Sequence, residues 1–399
     1  MLHEFLSNVG HNLFKPLLLF FYFGFMLPLL KVDFEFPEVI YQGLTMYLLL
    51  AIGWHGGEEL AAIHASSIGQ IAGFMVLGFV LNFVIGMLAY ALLTRLTSLR
   101  KVDKATVAGY YGSDSAGTFA TAVGILVAAD VAFDAYMPVM LAVMEVPGCL
   151  VALYLVARLR DRGMDADGAM PGEPGYIAPK FAPGAATLPS HGQHLENDPG
   201  SAQPLDFSLQ TQAAADPERK PAVLSLQLLR EVFLNPGLLL LFGGIAIGFI
   251  SGLQGHKVTH DDDVFFISAF QGALCLFLLE MGMTAARKLR DLRSAGKGFI
   301  IFGLVAPNLF APLGIIVAHA YAYLIHQDFE PGTYVLFAVL CGAASYIAVP
   351  AVQRLAIPEA SPTLPLAASL GLTFSYNVTI GLPLYIEIAH VVEKWFPIA

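Results

Sequence analysis

The stretch Gly112-Ser-Asp-Ser-Ala-Gly-Thr118 places two glycines, three hydroxyl groups and one carboxylate in the middle of a segment that is otherwise apolar enough to cross a membrane. A similar interruption, Gly342-Ala-Ala-Ser-Tyr-Ile-Ala-Val-Pro350, begins 230 residues downstream in another apolar run. Paired interruptions in the two halves of a membrane protein indicate a transporter binding site. We therefore predict that both helices break near the middle of the membrane and that a polar ligand binds between them.

The composition of the chain is that of a membrane protein. Of its 399 residues, 56% are hydrophobic and 13% are charged, and the mean hydropathy is +0.66. The formal net charge of −10 argues against a nucleic-acid partner, because binding to phosphates needs a basic surface. All three cysteines lie in apolar runs, so we interpret them as packing residues and not as a disulfide or a metal site.

Ten apolar segments approach the roughly 20 residues that span a bilayer, so the predicted fold class is an all-α membrane protein with ten transmembrane helices. The first segment has no basic leader and no Ala-x-Ala cleavage site, and we interpret it as a retained span rather than a signal peptide. The predicted spans are residues 12–30, 37–54, 68–93, 105–128, 135–157, 232–252, 263–286, 299–325, 332–355 and 364–391.

A polar stretch separates two groups of five spans. Residues 1–158 form the first half, residues 159–231 a linker and residues 232–399 the second half. The linker is rich in Pro, Gly, Ala and Asp, and its composition cannot bury enough apolar surface to fold alone. We predict that it is cytoplasmic and largely disordered.

Charged residues in the loops predict the orientation of the spans. When the loops are assigned alternately to two sides, 18 of the 21 Lys and Arg residues fall on one side. Basic loops are typically cytoplasmic, which places both termini on the extracytoplasmic side. Five spans per half is an odd number, so the second half must enter the membrane upside down. Weak similarity between Leu50–Leu60 and Leu279–Leu289 also favours two inverted five-helix repeats, with breaks in spans four and nine.

The predicted breaks leave backbone groups that a ligand can satisfy. A second half-helix begins with unpaired N–H groups, which suit a small anion, and a first half-helix ends with unpaired carbonyl groups, which suit a cation. Glycines let a ligand approach the backbone, although helix packing is the alternative, and hydroxyl groups can instead bond to the preceding turn. The predicted substrate-binding residues are Gly112, Ser113, Ser115, Gly117, Thr118, Gly342, Ala343, Ser345 and Tyr346.

Two carboxylates inside predicted spans indicate a cation or proton site, because a charge in the membrane is unfavourable and points to function. Asp114 lies in the first interruption, and Glu145 lies in span five. A third carboxylate, Glu280, is nearer the cytoplasmic end of span seven and could instead pair with Arg287. The predicted cation-binding residues are Asp114, Glu145, Ser115, Ser375 and Asn377.

Four motifs together resemble the sodium-dependent bicarbonate permeases of bacteria, best known from cyanobacterial carbon-concentrating systems: Gly112–Thr118, Met144-Glu-Val-Pro147, Met281-Gly-Met283 and Ser345–Pro350. The resemblance covers both membrane halves and not the linker. It implies a ten-span Na⁺/HCO₃⁻ symporter of the bacterial inner membrane that forms a trimer. It also implies control by a cytoplasmic PII-like protein, and bicarbonate bound between the two interruptions with Na⁺ close by.

The sequence departs from the cyanobacterial pattern at the acidic positions. In that pattern the first break has no acid, and the second break has one where this chain has Tyr346. Here the carboxylate is at Asp114, and Glu145 stands where the pattern has a shorter Asp. Because one negative charge per site is kept, the resemblance still implies coupling to a cation.

We therefore predict a secondary active symporter, not an enzyme, which needs no cofactor besides its coupling ion. Na⁺ at Asp114 and Glu145 would allow a small anion, with bicarbonate expected, to bind. The alternatives are a symporter of another organic anion and a Na⁺/H⁺ antiporter; for an antiporter we expect an Asp-Asp pair or an intramembrane lysine, and the broken segments show neither. A membrane enzyme is disfavoured, since Asp261–Asp263 is a lone acidic cluster in a predicted outer loop.

Overall fold

The computed structural model describes residues 14–32, 34–63, 68–177, 236–292 and 296–398, which form helices and loops without a β-strand. The helices of the first half are α1 (Pro16–Leu29), α2 (Glu38–Leu60), α3 (Ile68–Leu96), α4 (Lys101–Tyr111), α5 (Ala116–Ala128) and α6 (Met137–Asp161). Those of the second half are α7 (Pro236–Gln254), α8 (His256–Asp263), α9 (Phe270–Asp291), α10 (Lys297–Ile325), α11 (Pro331–Gly342), α12 (Ala348–Ala356), α13 (Leu364–Leu366) and α14 (Leu382–Trp395). Wider π-helical turns join α8 to α9 at Val264–Ser268, and α13 to α14 at Ala367–Phe374 and Asn377–Gly381.

Several helices have the length and composition of membrane spans, which supports a multi-pass membrane protein. Five qualify among the described residues: Ile68–Leu96, Met137–Asp161, Pro236–Gln254, Val258–Leu289 and Lys297–Ile325. Large apolar side chains cover their outward faces, and Val76, Ile247 and Ile316 are each between 55% and 63% exposed. Such surfaces are unfavourable in water and suit contact with lipid.

The two polar interruptions lie in the centre of the protein. α4 ends at Tyr111 and α5 begins at Ala116, while α11 ends at Gly342 and α12 begins at Ala348. Every residue of α4 except Lys101 is buried, and so is every residue of α11 except Pro331. A helix that is buried on all sides has no face left for lipid. The other helices therefore surround α4, α5 and α11.

Two pairs of helices cross in close backbone contact at glycines. α1 crosses α9 where Gly24 lies against the backbone carbonyl of Leu279, and α2 crosses α7 where Gly248 lies against that of Trp54. A side chain at either glycine would collide with the neighbouring backbone. Small residues at such crossings allow membrane helices to pack closely without a hydrophobic driving force. These two pairs flank the buried helices that carry the interruptions.

The structure differs from the sequence prediction at two boundaries. α6 continues to Asp161, and residues 162–177 form a hydrogen-bonded loop in the region predicted as a disordered linker, because Asp165 accepts three backbone N–H groups there. The remaining predicted linker residues, 178–231, lie outside the described residues. Asp261–Asp263 belong to α8 and not to a loop, and Asp263 accepts a hydrogen bond of 2.9 Å from the Trp54 indole. At least one of these acids therefore has a structural partner.

Candidate functional site

The two interruptions contact each other directly. The backbone N–H of Ser345, in the second interruption, donates a hydrogen bond of 2.9 Å to the carbonyl oxygen of Tyr110, one residue before the end of α4. On the opposite side, the Tyr346 hydroxyl lies against Gly117 at the start of α5, where a Cβ atom would collide with it. The structure thus brings together residues that are more than 200 positions apart in the chain and that the sequence predicted as one site.

The first interruption is held by short side chains. Gly112 packs on Gly86 of α3, where an added Cβ atom would lie 2.9 Å from the Gly86 Cα. Ser115 is the N-cap of α5, because its hydroxyl accepts hydrogen bonds from the Thr118 N–H at 3.2 Å and from the Thr118 hydroxyl at 2.8 Å. The hydroxyl groups of Ser115 and Thr118 therefore bond to each other. This agrees with the alternative that these hydroxyl groups bond locally and not to a ligand.

The Ser115 cap leaves part of the α5 N-terminus open. The first N–H groups of a helix have no partner within the helix. Ser115 satisfies that of Thr118, and the Phe119 N–H bonds to the Ser115 carbonyl at 2.8 Å. Among the described hydrogen bonds none uses the N–H groups of Ala116 and Gly117. These two N–H groups lie beside the Tyr346 hydroxyl and can donate hydrogen bonds to a small anion.

Glu145 joins both interruptions. Its Oε1 accepts a hydrogen bond of 2.8 Å from the Ser345 hydroxyl and a longer one of 3.4 Å from the Ser113 hydroxyl. The Ser113 hydroxyl also donates to the Glu145 backbone carbonyl at 2.8 Å. Pro147 follows in the same helix, and Glu145 is only 5% exposed. The Glu145 carboxyl group therefore lies where α6 passes the C-terminal end of α4 and the N-terminal end of α12.

Asp114 places a second carboxyl group beside that of Glu145. The Asp114 side chain is fully buried, and neither of its oxygens has a hydrogen-bond donor within the part of the chain that the structure describes. Its described electrostatic contacts are with Glu145 and Cys341, and no lysine or arginine pairs with either carboxyl group there. Two buried carboxylates without a counter-charge are unfavourable, so the pair needs a proton or a cation.

Two further predicted cation ligands are engaged elsewhere. The Asn377 amide donates to the Gly342 carbonyl at 3.0 Å, and its oxygen accepts from the Tyr385 hydroxyl at 2.7 Å. The Ser375 hydroxyl donates to the Leu370 carbonyl of its own helix at 3.3 Å. In the described structure no hydrogen bond connects either residue to the two carboxyl groups. Asn377 closes the end of α11, next to predicted residues Gly342 and Ala343, which are both buried.

Glu280 interacts electrostatically with Arg287, but no described hydrogen bond joins the two side chains. Its Oε1 accepts from the Thr284 hydroxyl at 2.8 Å, whereas the Arg287 guanidinium donates to the Phe34 carbonyl at 3.1 Å. Thr284 is one helical turn away from Glu280 and can reach it more easily than a side chain seven residues away.

Sequence reasoning missed Asn82 and the aromatic wall of the site. Asn82 of α3 is fully buried, donates to the Met144 carbonyl at 3.0 Å and keeps its own side-chain oxygen without a partner in the described structure. Phe277 of α9 contacts Gly117 and stacks on Tyr41, with ring centroids 5.9 Å apart. A polar residue inside an apolar helix was the available signal for Asn82. Nothing in the sequence distinguishes Phe277 from the 28 other phenylalanines.

A buried polar centre inside a bundle of apolar helices is typical of a membrane transporter. A family model described as the Na⁺-dependent bicarbonate transporter superfamily matches residues 16–390 of the chain. The chain therefore belongs to this superfamily, and the resemblance found in the sequence is confirmed. The curated proteins compared with the chain include no match.

Proposed function

We propose that the protein is a Na⁺-coupled symporter that carries a small anion, bicarbonate, into the cytoplasm. The observation that carries this proposal is the Asp114–Glu145 carboxyl pair, which is buried without a counter-charge and is connected by Ser345 and Ser113 to both interruptions. A bound cation would neutralise the pair. Membership of the superfamily supports Na⁺ as that cation and bicarbonate as the anion.

We further propose ten spans in two inverted repeats, with α4–α5 and α11–α12 as the broken spans four and nine. The pairing of helices supports this arrangement. Span one contacts span seven as α1 on α9, and span two contacts span six as α2 on α7. An inverted repeat exchanges span one with six and two with seven, so it converts the first contact into the second. The basic loops favour an orientation with both termini extracytoplasmic, and the resemblance to bacterial permeases favours the bacterial inner membrane.

The two ligands would bind on neighbouring surfaces of one site. Na⁺ contacts the carboxyl oxygens of Asp114 and Glu145, and the anion contacts the N–H groups that begin α5 together with the Tyr346 hydroxyl. Without Na⁺ the carboxylates repel an anion, and with Na⁺ the local field is reversed. Each ligand therefore raises the affinity for the other by the same factor. This linkage makes transport coupled rather than independent.

Uptake of labelled bicarbonate into proteoliposomes tests the proposal. We expect uptake that follows an inward Na⁺ gradient and stops when K⁺ replaces Na⁺. Uptake that does not depend on Na⁺ would contradict the proposed Na⁺ coupling. An absence of bicarbonate uptake would contradict bicarbonate as the substrate. Competition by small carboxylates would instead indicate a symporter of another organic anion.

A Na⁺/H⁺ antiporter is the second candidate, and the interaction between the Asp114 and Glu145 carboxyl groups supports it. Such a pair can hold either a proton or Na⁺. Efflux of Na⁺ driven by an inward pH gradient, without any anion requirement, would favour this candidate.

From the resemblance alone we also propose a homotrimer that a cytoplasmic PII-like protein regulates.

A further inference from the structure

A cavity of about 220 Å³ lies between α4 and α12, at the end of the molecule that carries the basic loops. We call it the vestibule; its lining includes Thr106 and Tyr110 of α4, Gln353 and Arg354 of α12, and Ser361. The Tyr110 carbonyl accepts the Ser345 N–H, so the inner end of the vestibule is one residue from the end of α4 and directly beside the second interruption. A water molecule takes up about 30 Å³, so a hydrated small anion fits.

The vestibule contains a positive charge without a partner. The Arg354 side chain is exposed and takes part in none of the ion pairs or hydrogen bonds of the described residues. Two acids at the same end of the molecule are already neutralised. Arg160 pairs with Glu359 at 2.8 Å, and Arg100 pairs with Asp103 at 2.8 Å. Arg354 therefore remains as a positive charge in the vestibule lining that neither of these two acids pairs with.

Two residues of the vestibule lining, Tyr110 and Gln353, each have a polar side-chain atom without a described hydrogen-bond partner. Tyr110 is 2% exposed, its hydroxyl makes none of the described hydrogen bonds, and it is close enough to Arg354 to interact electrostatically. Gln353 is 4% exposed; its amide nitrogen donates to the Thr106 carbonyl at 3.1 Å, whereas its Oε1 has no donor among the described residues. The Tyr110 hydroxyl is therefore a hydrogen-bond donor that is available to a ligand in the vestibule.

We propose that the vestibule is a second anion-binding site, through which the transported anion passes between the central site and the cytoplasm. Arg354 attracts the anion and donates hydrogen bonds to its oxygens, and the Tyr110 hydroxyl donates another. A positive group in a concave site raises the local anion concentration. This inference rests on the proposed transport of an anion, and it adds a second binding site for that anion on the cytoplasmic side.

A cysteine reporter measures the field of the vestibule without any transport assay. Ser361→Cys is nearly isosteric and lines the vestibule, and Ser98→Cys is an exposed control between α3 and α4. In purified protein, the rates of modification by an anionic and a cationic methanethiosulfonate of similar size are compared. We expect Arg354→Gln to lower the anionic-to-cationic rate ratio of the Ser361→Cys protein at least about fivefold, the effect of one unit charge a few ångströms away. Arg354→Lys should keep the ratio, and the Ser98→Cys protein should not respond.

Ligand binding is tested with the same reporter and a neutral reagent, methyl methanethiosulfonate. Bicarbonate should slow its reaction with the thiol of the Ser361→Cys protein, chloride at equal ionic strength should not, and Arg354→Gln should remove the protection. An unchanged rate ratio in Arg354→Gln, or protection that survives it, would overturn the proposal. Protection by another anion instead of bicarbonate would contradict the proposed substrate and support the vestibule, so the two failures are distinguishable.

Discussion

The Ser345 hydroxyl donates a hydrogen bond of 2.8 Å to the Glu145 carboxyl group, and so ties the second interruption to α6 of the first half. The same carboxyl oxygen accepts the Ser113 hydroxyl from the first interruption at 3.4 Å. Glu145 is therefore the acidic residue that is bonded to both interruptions in the described structure. Any change in its charge, by Na⁺ or by a proton, acts on both at once.

Ser345→Ala should weaken Na⁺ activation of uptake by about tenfold or more, because a hydrogen bond to a charged group contributes about 1.5–3 kcal/mol. Ser369→Ala is the matched control: this serine is equally buried, and its hydroxyl bonds to the Leu366 carbonyl of its own helix at 3.3 Å. The Na⁺ concentration for half-maximal uptake is measured for both variants. Equal values for the two would show that the bond to Glu145 plays no part in coupling.

Asp114→Asn should raise the melting temperature of the purified protein in Na⁺-free buffer, because it removes a buried carboxylate that lacks a counter-charge. The wild-type protein should become more stable as Na⁺ is added, since a ligand that binds only the native state stabilises it. The variant should lose that Na⁺-dependent increase. Exposed Asp130→Asn should retain the increase. A Na⁺ response in Asp114→Asn equal to that of the wild type would exclude Asp114 as a cation ligand.

The sequence predicted the region of the site better than its contacts. Glycines and hydroxyl groups in an apolar run are locally visible, and α4 ends beside Gly112 while α11 ends at Gly342. The hydrogen bond between Glu145 and Ser345 spans 200 positions and depends on how the helices pack. No local pattern encodes such a contact.

Polar residues at depth were harder to interpret. Ser375 and Asn377 satisfy backbone carbonyls, which is what a serine or asparagine does in a membrane helix when no ligand is near. Asn82 gives the same sequence signal, a polar residue inside an apolar helix, but it donates from α3 to a carbonyl of α6, and its side-chain oxygen has no partner among the described residues. Only the packing of the helices separates these cases.

Gly248→Ala should destabilise the purified protein by about 1–3 kcal/mol, because the added methyl group meets the Trp54 backbone where α2 crosses α7. Gly243→Ala, five residues earlier in the same helix, meets no atom within 4 Å and should be neutral or slightly stabilising. Thermal unfolding in detergent compares the two variants. If the two variants unfold at the same temperature, close packing at Gly248 does not hold α7 against α2.

The loop after α6 should open in acid. The N–H groups of Ile177, Ala169 and Asp167 bond to the Asp165 carboxylate and hold its pKa below the usual value. A carboxyl group with a lowered pKa in the folded state contributes stability above its unfolded pKa of about 3.9 and loses it as the pH falls through the folded pKa. The loop should therefore be fully held at neutral pH and released only as the pH falls below the unfolded pKa of about 3.9 and through the lowered folded pKa.

Asp165→Asn should imitate this release at neutral pH, because Asn has only one acceptor oxygen: when that oxygen bonds to Ala169 and Asp167, its NH2 group cannot accept the Ile177 N–H that Oδ2 accepts at 2.8 Å. Hydrogen exchange measured by mass spectrometry should show faster exchange at Ile177 in Asp165→Asn. Asp167→Asn is the control, since the Asp167 side chain makes none of the described hydrogen bonds and only its backbone contacts Asp165 and Arg100. Exchange at Ile177 that is equally slow in both variants would mean that other contacts hold the loop, and its acid release would then not follow from Asp165.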